Sequence, residues 1–313
     1  MAGVLEHVEE AGVHSGDSAC VIPPQSIERK MLAEIEEATL KLARSIGVRG
    51  LINIQFAISK NELYVLEANP RASRTVPFVS KATGVQVAKA AALIACGKSI
   101  NELKENGDLP EIGVAQGISV KEAVLPWNRF RRLDGQGVDS VLGPEMKSTG
   151  EVMGIAPTFG AAFAKSQIAA FGPLPKSGAI FISLSDKDKE SALESVADLK
   201  ELGFELFATQ GTHEFLKQGG VETSLVAKHA DKTTTPDAVS AVDLINESRI
   251  ALVVNTPFGR GAQRDGRLIR TAAVQRGISC ITTVPGLKAA VEGIKELKKA
   301  NLTARSIQDW HRS

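Results

Sequence analysis

Two stretches near the start of the chain alternate apolar and polar side chains. The run 51–58 places its isoleucines and Phe56 on one side and its amide side chains on the other, which is typical of a half-buried β-strand. The run 64–69 alternates in the same way and predicts a second strand. Because the short polar segment 59–62 separates the two runs, we expect an antiparallel hairpin.

Parity determines which side chains share a face of this hairpin, because successive residues of a strand point to opposite sides. One face of the second strand is expected to carry four side chains: Leu63, Val65, Glu67 and Asn69. If the apolar faces of the two strands pair, Gln55 lies beside Glu67 and Asn53 beside Asn69. The pattern therefore predicts a face on which one carboxylate and several carboxamides converge.

Helical spacing of apolar residues predicts a helix over 26–46, with Ser26 as its N-cap and Gly47 at its end. The stretch 100–117 is expected to be an acidic loop. The stretch 142–154 is expected to be irregular, and to pack rather than to catalyse.

Beyond the Pro- and Gly-rich stretch 171–178, strand and helix patterns alternate. Strands are predicted over 179–184, 204–209, 223–226, 250–255 and 279–282. Helices are predicted between them, notably over 187–202, 235–246 and 289–299. Such alternation favours a parallel sheet covered on both faces, in a second domain that begins near Gly172. In such folds ligands bind at the carboxyl ends of the strands, where 209–212 and 255–260 supply hydroxyl and amide groups.

Composition excludes several classes of protein. The 313 residues include 37 basic and 36 acidic ones, so a formal net charge of +1 does not favour binding to nucleic acid or to an anionic membrane. The apolar fraction of 43% is enough for two domains with real cores, and no stretch is apolar enough to cross a bilayer. The three cysteines, Cys20, Cys96 and Cys280, form no metal-binding motif and fit a reducing cytoplasm.

The expected polar face of the hairpin has the chemistry of a metal–phosphate site. Gln55, Glu67 and Asn69 offer hard oxygen ligands of the kind that Mg²⁺ prefers when it also bridges phosphates. Arg71 and Arg74 follow at once, and their guanidinium groups suit bidentate contacts to phosphate or carboxylate. The alternative is an ordinary hairpin whose polar side faces solvent. The partner glutamine and the two arginines together favour the metal–phosphate site.

A family resemblance rests on the same stretch. Residues 67–71, Glu-Ala-Asn-Pro-Arg, resemble the E-x-N-P-R signature of ATP-grasp ligases. The longer run 69–84 is similar to the large chains of carbamoyl phosphate synthetases, and so is Gly-Val-His-Ser-Gly-Asp-Ser at 12–18. ATP-grasp enzymes in general lack the continuation after Arg74, which disfavours an unrelated ligase with an ATP-grasp tail.

The resemblance implies an α/β chain in two parts. A partial ATP-grasp unit (α+β, antiparallel sheet) is followed by a Rossmann-like parallel α/β domain similar to methylglyoxal synthase. The implied domains are the C-terminal part of the ATP-grasp domain (1–97), a connecting segment of the synthetase body (98–171) and an allosteric domain (172–313). The chain is then expected to be the final part of a longer large subunit. Its partners would be the remainder of that subunit and a glutaminase small subunit.

The resemblance also implies an activity. In this family the corresponding part phosphorylates carbamate with ATP to give carbamoyl phosphate for pyrimidine and arginine biosynthesis, in a glutamine-hydrolysing ligase. Because the rest of the ATP cleft is missing from the sequence, we expect little or no turnover by the isolated chain. The competing hypothesis is a catalytically inactive, nucleotide-binding regulatory module whose ATP-grasp remnant serves as a scaffold.

Roles for individual residues follow from the resemblance. Mg²⁺ or Mn²⁺ would be held by Gln55, Glu67 and Asn69, and carbamate and the transferred phosphoryl group by Arg71 and Arg74. ATP would contact Gly12, Val13, His14 and Ser15, together with Gln55 and Glu67. An ornithine-like activator would bind at Glu9, Asp17, Glu122 and Thr282, with a potassium ion near His7. UMP or IMP would bind at Ser183, Lys189, Thr209, Gly211, Thr212, Lys228, Asn255 and Thr256.

Three positions depart from the family pattern around the effector nucleotide. Gln210 stands where a histidine is common, and Pro257 and Phe258 replace hydroxyl residues, so the identity of the nucleotide stays open. No Asp-Pro-Leu sequence follows the strand at 250–255, so methylglyoxal synthase activity is not expected.

Overall fold

A computed structural model of the chain describes residues 1–110, 117–129, 137–227, 239–257, 262–300 and 302–312. Within these residues the strands form a two-stranded, a four-stranded and a five-stranded sheet. No helix of the described ranges is both long and apolar enough to cross a membrane.

The elements follow one another along the chain with these bounds. The strands are β1 (Glu6–His7), β2 (Cys20–Ile22), β3 (Asn53–Ser59), β4 (Glu62–Asn69), β5 (Ile118–Val124), β6 (Gly150–Ala156), β7 (Ala179–Ser183), β8 (Glu205–Ala208), β9 (Ser224–Leu225), β10 (Ile250–Asn255) and β11 (Cys280–Ile281). The helices are α1 (Arg29–Ile46), α2 (Thr75–Thr83), α3 (Val87–Ala95), α4 (Ile100–Glu105), α5 (Phe159–Ala170), α6 (Lys189–Glu201), α7 (Gln210–Gln218), α8 (Ala241–Asn246), α9 (Ala262–Arg276), α10 (Val284–Lys299) and α11 (Ile307–Arg312).

The predicted hairpin is present, and its turn explains its register. β3 and β4 pair antiparallel, with Ser59 opposite Glu62. The two residues between them, Lys60 and Asn61, have positive φ angles of 51° and 62°. Two-residue turns of this conformation match the natural twist of paired strands. No residue of either strand is buried, so the hairpin stands at the surface of the described chain.

The middle of the chain forms an antiparallel sheet in the order β1-β2-β5-β6. The expectation that 142–154 is irregular is wrong at its end, because β6 starts at Gly150 and pairs with β5 along its whole length. The apolar–polar alternation is weak there because both faces are covered. On one face Met153 packs into a cluster with Phe78 and Val79 of α2, and α5 packs on the other face.

The second half contains a five-stranded sheet in the order β11-β10-β7-β8-β9, and every pair in it is parallel. This confirms the parallel α/β sheet that the alternating pattern predicted. β10 covers the same residues as the predicted strand 250–255, while the other four strands are shorter than predicted. The predicted helix 235–246 begins outside the described residues, and its described part is α8.

Two helix predictions need correction. α1 begins at Arg29 rather than near Ser26, because the Ser26 hydroxyl is committed to the carboxylate of Glu6 and does not cap the helix. The predicted end at Gly47 is confirmed, with a left-handed φ of 69°. The predicted loop 100–117 contains α4, whose N-terminus is closed by a capping box between Ser99 and Glu102.

One apolar core runs through the antiparallel sheet, α5, the parallel sheet and α10. It includes Val120 of β5, Ala162 of α5, Ile182 of β7 and Ala290 of α10. α5 and α10 approach so closely that a Cβ on Gly160 would lie 2.5 Å from the carbonyl oxygen of Glu292. The domain boundary expected at Gly172 therefore does not coincide with a gap in the packing, and it stays a prediction.

Candidate functional site

The hairpin brings together the side chains expected to hold divalent ions. Gln55 lies directly opposite Glu67, and Asn53 lies directly opposite Asn69. Residues opposite one another in an antiparallel pair project from the same face. Gln55, Glu67 and Asn69 therefore share one side of the hairpin, as parity predicted.

A β-bulge corrects the rest of the parity prediction. The pairing steps from Gln55–Glu67 to Phe56–Val65, so Leu66 is an extra residue in β4. An extra residue shifts the alternation by one, and Val65 thereby joins the apolar face of Phe56. Leu63 lies opposite Ile58 and joins that face too. The face that carries Glu67 does not include Leu63 and Val65, contrary to expectation.

The donor set of this face fits a hard divalent ion that is also bound by phosphates. It offers one carboxylate and two carboxamide oxygens, and Glu67 is exposed. The set contains a single carboxylate, and the described residues hold no cluster of three or more His, Cys, Asp or Glu side chains able to bind a metal. Such a face matches an ion that takes its remaining ligands from ATP and water.

The arginine-bearing turn after β4 has one exposed and one fixed guanidinium. Arg71 is exposed, and its Nη1 donates to the neighbouring Ala72 carbonyl at 3.0 Å. Arg74 is half-buried, and its Nη1 donates to the Ser148 Oγ at 2.9 Å and to the Ser148 carbonyl at 3.3 Å. Ser148 could not be found from the sequence pattern, since it lies 74 residues from Arg74 along the chain.

The loop Gly12–Ser15, expected to contact ATP, is fixed by backbone contacts. The His14 N–H donates to the Gly143 carbonyl at 2.8 Å, and the His14 Nδ1 accepts from the Gly16 N–H at 3.0 Å. Lys121 is fully buried, with its Nζ 3.3 Å from the Ser15 carbonyl oxygen. The loop is thus held by a buried ammonium group that sequence reasoning did not single out.

All four residues expected at the ornithine-like site line one cavity of about 400 Å³: Glu9, Asp17, Glu122 and Thr282. The cavity lies between the antiparallel sheet, α5 and the start of α10. Glu9 accepts a hydrogen bond from the Ala19 N–H at 2.7 Å, and Glu122 accepts one from Gln167 Nε2 at 2.7 Å. Gln167, on α5, was not foreseen from the sequence.

The two glutamates of this cavity resist ionisation. Burial raises the pKa of Glu9 to about 7. Burial, with the negative charge of Glu9 as a second cause, raises the pKa of Glu122 to about 8. A cation entering the cavity would favour the ionised form of both. The lining also includes Thr283, the N-cap of α10, and the dipole of this helix favours an anion there. The cavity therefore suits a ligand with one cationic and one anionic end.

A second cavity, of about 220 Å³, lies at the carboxyl ends of the parallel strands. It is lined by seven of the eight residues expected to bind a nucleotide: Ser183, Lys189, Thr209, Gly211, Thr212, Asn255 and Thr256. The eighth, Lys228, lies outside the described residues. β8 ends at Ala208 and α7 begins at Gln210, so the strand-to-helix turn predicted over 209–212 is confirmed.

Hydrogen bonds between loops shape this second cavity. The Thr212 hydroxyl accepts from the Leu184 N–H at 3.0 Å, and the Thr256 hydroxyl accepts from the Ser185 N–H at 2.9 Å. Lys189 is mostly buried, and its Nζ lies 2.7 Å from Oδ1 of the exposed Asp186. A buried ammonium, threonine hydroxyls and a helix N-terminus together form a phosphate-binding arrangement.

Arg270 is the residue of this region that sequence reasoning missed. It lies on α9, is 1% exposed, and its Nη1 donates to the Oδ1 of Asn255. Because a guanidinium only donates, it holds the Asn255 amide with the oxygen toward itself, which leaves the NH₂ group for a ligand. A buried arginine in a pattern of apolar helix positions has no sequence signature.

Comparison with protein families and known proteins identifies both halves. Residues 3–103 match the family "Carbamoyl-phosphate synthase L chain, ATP binding domain", and residues 191–282 match the family "MGS-like domain". These matches agree with the partial ATP-grasp unit and with the five-stranded parallel sheet.

Curated relatives match the chain over almost its whole length. The carbamoyl phosphate synthase large chain of Streptomyces coelicolor is 51% identical over 315 residues, which cover 99% of this chain and 29% of the relative. That of Mycobacterium tuberculosis is 51% identical over 320 residues, which cover 100% and 29%. This chain therefore spans less than a third of the length of these relatives.

Solved structures give weaker likenesses. One is a single-chain, multi-domain long-chain acyl-CoA carboxylase. The match covers 53% of this chain and 22% of the carboxylase chain, at 16% identity and a TM-score of 0.39. Another is the biotin carboxylase domain of a thermophilic 2-oxoglutarate carboxylase. The match covers 51% of this chain and 44% of that domain's chain, at 18% identity and a TM-score of 0.35.

Proposed function

Because the chain corresponds to the C-terminal portion of the carbamoyl phosphate synthase large chain, we propose that it provides part of the site that phosphorylates carbamate. A carbamate oxygen attacks the γ-phosphorus of ATP, and carbamoyl phosphate and ADP are formed. The observation that carries this proposal is the register of the hairpin, which sets Gln55 opposite Glu67 and Asn53 opposite Asn69.

The hairpin residues divide the work of phosphoryl transfer. A bound Mg²⁺ or Mn²⁺ ion would neutralise charge on the ATP phosphates. Gln55, Glu67 and Asn69 would hold that ion, and the exposed Arg71 would contact carbamate or the transferred phosphoryl group. Arg74 acts from a fixed position, since Ser148 holds its guanidinium. Gly12, Val13, His14 and Ser15 contact ATP from a loop that Lys121 fixes.

The rest of the large subunit completes the cleft in this proposal. The hairpin has no buried residue, α1 has only Ile35 buried, and large apolar side chains are exposed on both: Leu40, Ile46, Ile58, Val65 and Leu66. Apolar surface of this extent favours packing against another part of the protein. The isolated chain accordingly has little or no turnover, and the glutaminase small subunit acts on the assembled protein.

The two cavities serve regulation in this proposal. The cavity with Glu9 and Glu122, here named the amine cavity, binds an ornithine-like amino acid. The cavity with Lys189 and Asn255, here named the nucleotide cavity, binds a nucleotide monophosphate such as UMP or IMP. A potassium ion sits near His7, whose pKa burial lowers to about 4, so that its neutral ring does not repel the ion. The three free cysteines fit a cytoplasmic protein.

A second candidate function is a regulatory module without catalysis. One observation favours it: described residues line the nucleotide cavity on several sides, whereas the hairpin face is an exposed surface. In that case the chain binds a monophosphate tightly and its ATP-grasp portion is a scaffold.

Calorimetry and an ADP-release assay separate the two candidates. The 313-residue chain is titrated with UMP, IMP and Mg-ATP, and ADP formation is followed with ammonium bicarbonate as the source of carbamate. Restoration of carbamate-dependent ADP formation by the missing part of the subunit supports the synthetase proposal. UMP or IMP binding with no such restoration supports the regulatory module.

A further inference from the structure

Ser148 connects two residues that belong to different proposed sites. Its hydroxyl accepts a hydrogen bond from Arg74 Nη1 at 2.9 Å, and its backbone N–H donates to Asp17 Oδ1 at 2.9 Å. Arg74 belongs to the proposed phosphoryl-transfer site, and Asp17 lines the amine cavity. A single residue therefore bridges the two.

Asp17 commits both of its carboxylate oxygens to this bridge. Its Oδ2 accepts from the Lys147 N–H at 2.7 Å, while its Oδ1 accepts from the Ser148 N–H. Hydrogen bonds to an ionised carboxylate are shorter and stronger than neutral ones. A shift of the Asp17 carboxylate therefore moves the backbone of 147–148 with it.

The Ser148 side chain is held on a second side. Its hydroxyl donates to the Gly16 carbonyl at 3.2 Å, so it accepts from Arg74 and donates to the loop before Asp17 at the same time. Ser148 is 5% exposed and does not line the amine cavity. It can act on a ligand only through its neighbours.

We propose that Ser148 is a positioning residue for Arg74, and that through Asp17 it makes the placement of the Arg74 guanidinium depend on whether the amine cavity is occupied. A cationic ligand beside Glu9 and Asp17 attracts the Asp17 carboxylate and displaces it. The hydrogen bonds of Ser148 transmit this displacement to the Arg74 guanidinium. The inference rests on the proposed function for the role of Arg74 and for the amine ligand, but the bridge itself is a feature of the described contacts.

The test reads the Arg74 guanidinium directly by arginine side-chain NMR of the 313-residue chain. Arg74→Lys identifies the Nη–H signals of Arg74 by their loss. The exchange of these protons with water is measured with and without L-ornithine, and ornithine affinity is measured by calorimetry. The variant is Ser148→Ala. The matched control is Ser119→Ala. Ser119 is buried like Ser148, but its hydroxyl has no hydrogen-bond partner among the described residues.

We expect Ser148→Ala to speed Arg74 exchange about tenfold, which is the loss of one charge-assisted hydrogen bond. It should also remove the response of the Arg74 signal to ornithine while ornithine affinity stays near the wild-type value. Ser119→Ala should behave like wild type in each reading. A merely structural role for Ser148 would lower thermal stability without uncoupling the Arg74 signal from ornithine.

Ser148→Ala with the same Arg74 exchange and the same ornithine response as Ser119→Ala would overturn the proposal. If no variant binds ornithine, the amine-cavity proposal fails and the coupling fails with it, whereas the exchange rate in Ser148→Ala still decides the positioning role. Should Ser148→Ala not fold, Asp17→Asn serves instead. It leaves one acceptor for the two N–H groups and is expected to speed Arg74 exchange to a smaller degree.

Discussion

Both carboxylate oxygens of Asp139 accept hydrogen bonds from the guanidinium of Arg270, one from Nε and one from Nη2, each at 2.6 Å. Arg270 is fully buried on α9, while Asp139 belongs to the segment before β6. The third nitrogen of the same guanidinium donates to Asn255 in the nucleotide cavity. The pair thus ties the nucleotide cavity to the connecting segment, whose next residue, Ser140, lines the amine cavity.

Arg270→Met should destabilise the fold and weaken nucleotide binding. Removing one partner of a buried ion pair leaves the other charge uncompensated, and we expect a loss of about 3 kcal/mol in the free energy of unfolding, measured with urea. Without Arg270 the Asn255 amide group can flip, so its NH₂ group no longer always faces the ligand and the affinity for UMP falls. Arg276→Met on the same helix is the control, because Arg276 is exposed, and it should change stability by less than about 0.5 kcal/mol. An Arg270→Met protein as stable as the control would contradict the role of the pair.

Lys189→Met should weaken UMP binding about tenfold or more, because the cavity loses its ammonium contact to phosphate. Calorimetry of the purified chain measures this. Lys200→Met, an exposed lysine of the same helix α6, is the matched control and should leave the affinity unchanged. Equal affinities in the two variants would show that phosphate does not sit beside Lys189.

The stability of the chain should fall as pH rises from about 5 to about 8. Glu9 and Glu122 have an ordinary carboxyl pKa near 4.5 that the fold raises to about 7 and about 8, so in this window the folded state binds more protons than the unfolded state. Their contribution is fully present below the unfolded pKa and is lost as pH passes the folded pKa. Two protons at about 1.4 kcal/mol each give a slope of about 2.7 kcal/mol per pH unit. His7 offsets about half of it below pH 6.5, because the fold lowers the pKa of His7 to about 4, and urea unfolding at a series of pH values measures the slope.

Glu122→Gln tests the source of that slope. It removes one titrating group and the negative charge that helps to raise the pKa of Glu9, and a glutamine keeps an acceptor for Gln167. The slope should drop by about half. Glu145→Gln, at an exposed glutamate, should leave it as in the wild type. A slope that Glu122→Gln does not change would place its origin elsewhere in the molecule.

Glu67→Gln should weaken Mn²⁺ binding about tenfold, because the donor set Gln55, Glu67 and Asn69 loses its carboxylate. Electron paramagnetic resonance of free Mn²⁺, with ATP present, measures the binding. Glu62→Gln on the same strand is the control, since Glu62 lies at the turn and accepts from the Tyr64 hydroxyl. If both variants bind Mn²⁺ equally, the hairpin does not hold the ion.

The sequence predicted correctly that Gln55, Glu67 and Asn69 share a face, because two local rules sufficed. A polar turn of known length and one apolar face set Gln55 opposite Glu67. The bulge at Leu66 was not predictable, because an extra residue in a strand leaves no mark on the polar–apolar pattern, and it changed the side on which Leu63 and Val65 project. The parallel sheet was equally predictable from the sequence, since its strands are buried apolar runs between helices.

The residues that join the sites were not predictable for a different reason. Ser148, Gln167 and Arg270 act through contacts between residues distant in the chain, and each sits among residues that look like ordinary packing. A buried arginine looks like an exposed one until its partners, Asp139 and Asn255, are placed around it. Local propensity carries no information on such pairs.

The close approach of α5 and α10 determines where this chain can be joined to a relative in a chimera. The Gly160 backbone lies against the Glu292 carbonyl, with no room for a side chain between them. A chimera joined at Gly172 would pair α5 of one protein with α10 of another. The exchanged part should therefore include α5, so that both helices come from the same protein.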